Sequence, residues 1–156
     1  MSLSVVLVGI DGIVVASDTR EMITFGEITF PRDGVHKIKV ISDSIVLSVI
    51  GNLAGYCNFL VTYFTSKELA QSLSGVDDID SFVDAFSEWA GNKYRKATQG
   101  MSPVLLRSDS NLFEIVVVGY KGSEPRMYII HNSATEPALI PHLIEALTLP
   151  PKTATP

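Results

Sequence analysis

The chain has 156 residues, 46% hydrophobic and 19% charged, the balance of one packed globular domain, which excludes an intrinsically disordered protein. Its net charge of −5 comes from 12 basic and 17 acidic residues, and its densest basic group is Lys93, Arg95 and Lys96, so it lacks the positive field that a nucleic-acid partner requires. One cysteine, Cys57, leaves no internal disulfide, no basic segment precedes the first apolar residues and no apolar run reaches membrane-spanning length, so a cytoplasmic protein with no membrane or nucleic-acid partner is expected.

Residues 3–8, rich in valine and leucine, are predicted as a strand. Asp11-Gly12 signals a hairpin turn, and residues 13–17 read as the returning strand, central because small and apolar residues fill both faces. Residues 20–34 are irregular, with turn positions at Gly26, Pro31, Arg32, Asp33 and Gly34 and room for a short strand at 27–30. Residues 36–41 alternate, with Ile38 and Val40 facing one way and Lys37 and Lys39 the other. A turn at Ser42-Asp43 leads into a strand over 44–50, closed by Gly51.

Two helical patterns follow. In the first, residues 52–73, Leu53, Cys57, Leu60, Val61 and Phe64 recur at helical spacing, and Gly75 ends the run. The second takes Asp80 as N-cap, carries Phe82, Phe86, Trp89, Ala90 and Tyr94 on one stripe, and ends at Gly100. Strands return at 104–107, at 112–120 and, after a turn at 122–125, at 126–131. Residues 133–156 form a proline-rich tail, with a short helix predicted over 142–147 and disorder over 149–156. Strands, a helix pair and strands again predict an α+β layered domain over residues 1–132.

Four motifs stand in order along this framework. Ser2 opens the run S-L-S-V-V-L-V-G-I-D-G-I-V-V-A-S-D-T-R, which closes on Ala16-Ser17-Asp18-Thr19-Arg20. Val35-His36-Lys37-Ile38 follows, and then Ser48-Val49-Ile50-Gly51-Asn52-Leu53-Ala54-Gly55. Over roughly residues 2–131 the chain resembles proteasome β subunits and their bacterial relatives, which are N-terminal nucleophile (Ntn) hydrolases. The resemblance puts Ser2 on the nucleophile, Asp18 on the aspartate of an A-A-D-x-R-like motif and Lys37 on the catalytic lysine of a V-K-K-I segment. It puts Gly51 in the strand-to-helix turn that supplies the oxyanion hole. The fold it implies is an αββα sandwich, two antiparallel sheets between helix layers, shortened at the C-terminus. It further implies a peptide or protein substrate, no cofactor, and a homo-oligomer in a ring or face-to-face assembly. The chain departs from the family in carrying serine where active proteasome subunits carry threonine, and in lacking a Gly-Ser-Gly segment.

The chemistry explains why these residue types are needed. A serine hydroxyl is a poor nucleophile until a base takes its proton. With Met1 removed, Ser2 carries a free α-amine whose ordinary pKa near ~8 suits a base at neutral pH. A positive Lys37 beside it would disfavour protonation of that amine and favour the ionised hydroxyl, while Asp18 would hold Lys37 in place. The Gly51 N–H would receive the oxyanion. Two other functions share these motifs: a non-catalytic ring subunit of the same fold, and an acyl transferase using the same acyl–enzyme. Each residue also has an ordinary reading. Ser2 is then a plain terminal residue, Asp18 a turn former, Lys37 a solvated lysine and Gly51 punctuation between elements. Cys57 falls on the apolar stripe of the first helix and reads as core, and His36, His131 and His142 lack metal-ligand spacing.

Overall fold

The computed structural model describes residues 3–9, 11–25, 27–51, 73, 76, 78–100, 113–132 and 139–144. Their largest unit is an antiparallel sheet of five strands in the order β5 (Ile38–Ser42), β6 (Ile45–Gly51), β7 (Phe113–Lys121), β8 (Glu124–Asn132) and β9 (Leu139–Ile144). The middle strand β7 carries an unbroken apolar run, Ile115 to Val118, buried on both faces, as a strand covered on two sides requires. Its turn into β8 places Gly122 at φ 60°, the left-handed value that a two-residue hairpin demands and that glycine adopts without cost.

One face of this sheet receives α1 (Ile79–Ala97). The helical stripe Phe82, Phe86, Ala90 and Tyr94 is fully buried against Ile45, Leu47, Val49, Ile115, Val117 and Ile130, with the Phe82 and Phe86 rings stacked 5.6 Å apart. Asp78 caps the helix, its carboxylate accepting the Ser81 N–H at 3.0 Å, so the cap lies two residues before the expected Asp80. Asp80 is drawn off by the sheet instead. It accepts from Lys121 Nζ at 2.7 Å, Arg126 at 2.8 Å and the Tyr128 hydroxyl at 2.8 Å, which pins the first helical turn to β7 and β8.

The opposite face receives a ribbon of β1 (Ser4–Val8) and β2 (Ile13–Ser17), paired from Ser4↔Ser17 to Val8↔Ile13. Leu47 and Val49 point to α1, so by alternation Ser48 points away from it, and there the Ser4 hydroxyl donates to Ser48 Oγ at 3.2 Å. The ribbon turns Ser4, Val6, Val15 and Ser17 inward and leaves Leu3, Val5, Leu7 and Val14 exposed. Among the described strands β2 pairs with β1 alone.

The described residues therefore make an α+β arrangement, mostly antiparallel sheet with one helix. Residues 20–34, expected to be irregular with room for a short strand at 27–30, contain a hairpin of β3 (Glu21–Phe25) and β4 (Ile28–Arg32), the second overlapping that short strand. Pro31 sits inside β4, which among the described residues is paired on one side, where a strand tolerates the missing N–H. Where a helix was expected to begin at residue 142, the chain is already in β9. Pairing with the open edge of β8 outweighs local preference there. The expected helix over 52–73 lies outside the described residues except for Leu73, which is in a turn, and the strand over 104–107, the rest of the 142–147 helix and the disorder over 149–156 also lie outside them. No helix among the described residues is long and apolar enough to cross a membrane.

Gly119 of β7 pairs with Ile45, and a Cβ there would stand 2.5 Å from the Ser44 carbonyl oxygen and 3.2 Å from Ile45 Cγ1. The neighbour is backbone and cannot rotate away. Gly119→Ala is expected to lower stability by about 1–3 kcal/mol, read as a reduced urea midpoint at unchanged slope.

Candidate functional site

The ribbon register decides where Asp18 goes. Ser4↔Ser17 is the last ladder pair, and the pairing continues one step through Asp18 N–H to the Leu3 carbonyl at 3.1 Å. The Leu3 N–H returns a bond of 2.8 Å to Asp18 Oδ1. Leu3 is thus held to Asp18 through both its amide and its carbonyl. That amide is the peptide N–H of the Ser2–Leu3 bond; Ser2 itself lies outside the described residues.

Lys37 arrives from the other side. It immediately precedes β5, and its carbonyl accepts the Val49 N–H at 3.1 Å, so β6 anchors its backbone. Its side chain is 1% exposed. Lys37 Nζ donates to Asp18 Oδ1 and Oδ2, each at 2.8 Å, and to the Arg20 carbonyl at 2.6 Å. The alternation that set Lys37 apart from Ile38 is therefore not a sign of solvation, because the neighbouring ribbon and the chain at Arg20 cover that side.

Asp18 Oδ1 accepts from both the Leu3 amide and Lys37 Nζ. The Leu3 amide first and Lys37 second hold the Asp18 carboxyl below its ordinary 3.8, so it is ionised at neutral pH. Gly51, the last residue of β6, pairs with Phe113 of β7 and lies two residues beyond Val49. Of the four residues expected to act together, Asp18 and Lys37 are brought into contact, and Gly51 ends the strand that anchors the Lys37 backbone.

Sequence reasoning missed three partners. The Leu3 amide and the Arg20 carbonyl are main-chain groups, which no residue type announces. Ser48, 1% exposed between Leu47 and Val49, was visible as a polar residue in an apolar run. His36 is exposed, and the His131 and His142 rings stack at 4.7 Å across β8 and β9. Among the described residues no group of three His, Cys, Asp or Glu side chains is placed to hold a metal ion. Cys57 lies outside the described residues. No protein-family model and no curated protein matches the chain.

Removing Asp18 would strand a buried lysine. Asp18→Asn is expected to cost about 2–4 kcal/mol and Lys37→Met distinctly less, since the methionine removes the buried charge together with its need for a partner. The pH dependence follows from the lowered carboxyl. Its stabilisation is fully present above the unfolded value of 3.8 and is lost as pH falls through the lower folded value. Urea unfolding from pH 7 downwards should show wild type losing this share below about pH 4 while Asp18→Asn does not.

Proposed function

We propose that the chain is an Ntn amide hydrolase with an αββα sandwich, acting on a peptide or protein substrate through an acyl–enzyme on Ser2 once Met1 is removed. The observation that carries this reading is the buried Lys37, bound by an Asp18 carboxylate whose same oxygen also receives the Leu3 amide. Burying a lysine costs several kcal/mol of lost hydration, and a fold needing only a packed interior has no use for one. A lysine that shares Asp18 Oδ1 with the amide of Leu3, the residue after Ser2, is what an N-terminal serine requires.

In this reading the Ser2 amine takes the hydroxyl proton as Oγ attacks the scissile carbonyl. Lys37 lowers the amine's tendency to be protonated beforehand and stabilises the developing negative charge at Oγ. Asp18 fixes Lys37 and is not itself a proton carrier. The Gly51 N–H stabilises the tetrahedral oxyanion, a donor of a kind worth about 3–4 kcal/mol. The C–N bond then breaks, the leaving amine takes the proton from the α-ammonium, and water, activated by the same amine, hydrolyses the ester. The β1–β2 ribbon belongs to the second sheet of the sandwich. Its exposed Leu3, Val5, Leu7 and Val14 suit a protein that works as an assembly of copies.

A β-lactone acylates such a nucleophile irreversibly. Protein beginning at Ser2 is expected to gain one adduct, mapped to Ser2 by intact-mass and peptide analysis. The Met1-retaining form and Ser2→Ala are expected to gain none, and Lys37→Met should label about 100-fold more slowly. Absence of an adduct on the protein beginning at Ser2 would sink the proposal.

A further inference from the structure

Lys37 Nζ reaches the Arg20 carbonyl at 2.6 Å, so the position of that carbonyl bears on where the lysine sits. The Arg20 side chain points elsewhere. Its Nε donates to Asp33 Oδ1 at 2.8 Å and its Nη2 to Asp33 Oδ2 at 3.2 Å, a two-pronged contact across the base of the β3–β4 hairpin. On one side of this contact the Val35 N–H donates to the Thr19 carbonyl at 3.0 Å. On the other, Glu21 and Arg32 are direct partners in the ladder and form an ion pair. Three successive cross-links therefore bracket the Arg20 carbonyl.

The signs of the charges matter as much as their contact. Going up the hairpin, one side reads Arg20 then Glu21, and the facing side reads Asp33 then Arg32. A slip of one residue in one direction sets Arg20 against Arg32, and in the other sets Glu21 against Asp33. Both slips bring like charges together, so the pattern admits one register and penalises its neighbours. All of β4 is exposed, and among the described residues β3 and β4 pair only with each other.

We infer that Arg20 and Asp33 are positioning residues. Their ion pair locks the base of the β3–β4 hairpin in register and so holds the Arg20 carbonyl where it receives Lys37 Nζ. The consequence for turnover rests on the hydrolase reading above, whereas the consequence for Lys37 itself does not. The bland counterpart is a solvated pair with no effect, which is common for side chains as open as these, 62% and 64% exposed.

The two are separated by measuring hydrogen exchange of the Lys37 ammonium in the full-length chain by nitrogen-15 NMR. Wild type is compared with Arg20→Gln, Asp33→Asn and the double variant Arg20→Gln, Asp33→Asn. Each single variant is expected to exchange about fivefold faster, and the double variant to stay within about twofold of the single ones, as two halves of one contact should. Peptide hydrolysis should follow, with kcat lowered by a similar factor at unchanged KM. Single variants that exchange at the wild-type rate, or a double variant whose effect is the product of the two single ones, overturn the inference. If the exchange responds but no form hydrolyses peptides, the positioning role stands and the hydrolase reading falls. Should a single variant not fold, wild type in low salt and in about 1 M salt carries the test, because screening weakens this exposed pair far more than the buried one. An exchange rate indifferent to salt then overturns it.

Discussion

The lysine at position 37 is 1% exposed, so its charged end is shut off from bulk solvent and needs acceptors from the protein in exchange. Two carboxylate oxygens and one main-chain carbonyl receive it. Each acceptor comes from the segment between β2 and β3, so the β1–β2 ribbon can sit in few places on the large sheet. The Leu3 amide completes the arrangement by using the same carboxylate oxygen, tying the start of β1 to the lysine through one atom. A mixed polar contact of this kind is weaker per area than apolar packing, but it tolerates far less misplacement, because each unpaired member would be costly.

The two faces of the five-stranded sheet contrast in this respect. Against α1 the contact is apolar: aromatic rings pack on Ile, Leu and Val, and the Asp80 cluster acts at the rim. Against the ribbon the linkage includes the Ser4–Ser48 hydroxyl pair and the Asp18–Lys37 ion pair. The first face supplies stability through area. The second supplies geometry through directional bonds, which fits a candidate site better than a core.

Local pattern was readable wherever one periodicity ruled. The Phe82, Phe86, Ala90, Tyr94 stripe announced α1, and the apolar runs around Leu47 and Val117 announced β6 and β7. Reading failed where an element depends on a distant partner. Asp80 looked like a cap because it is an aspartate near a helix start, yet Lys121, Arg126 and Tyr128, remote in sequence, claim it and leave the cap to Asp78. A strand at 27–30 was legible, but β3 and the extent of the hairpin were hidden by turn-forming residues that turn out to be its ion-paired base, Arg32 and Asp33. β9 was hidden because its strand character comes from the free edge of β8.

The candidate site divides along the same line. Sequence alone supplied the residue types and their order, Ser2, Asp18, Lys37 and Gly51, and the alternation that sets Lys37 apart from Ile38. Alternation assigns a side chain to one side of a strand, but it carries no information on whether anything covers that side. The tertiary structure decided this, by laying the ribbon and the Arg20 carbonyl over Lys37 and making a lysine that reads as solvated into one that is 1% exposed and bound to Asp18 and Arg20. Covering depends on contacts between residues far apart in the chain, and those contacts exist only once the sheet and ribbon have come together.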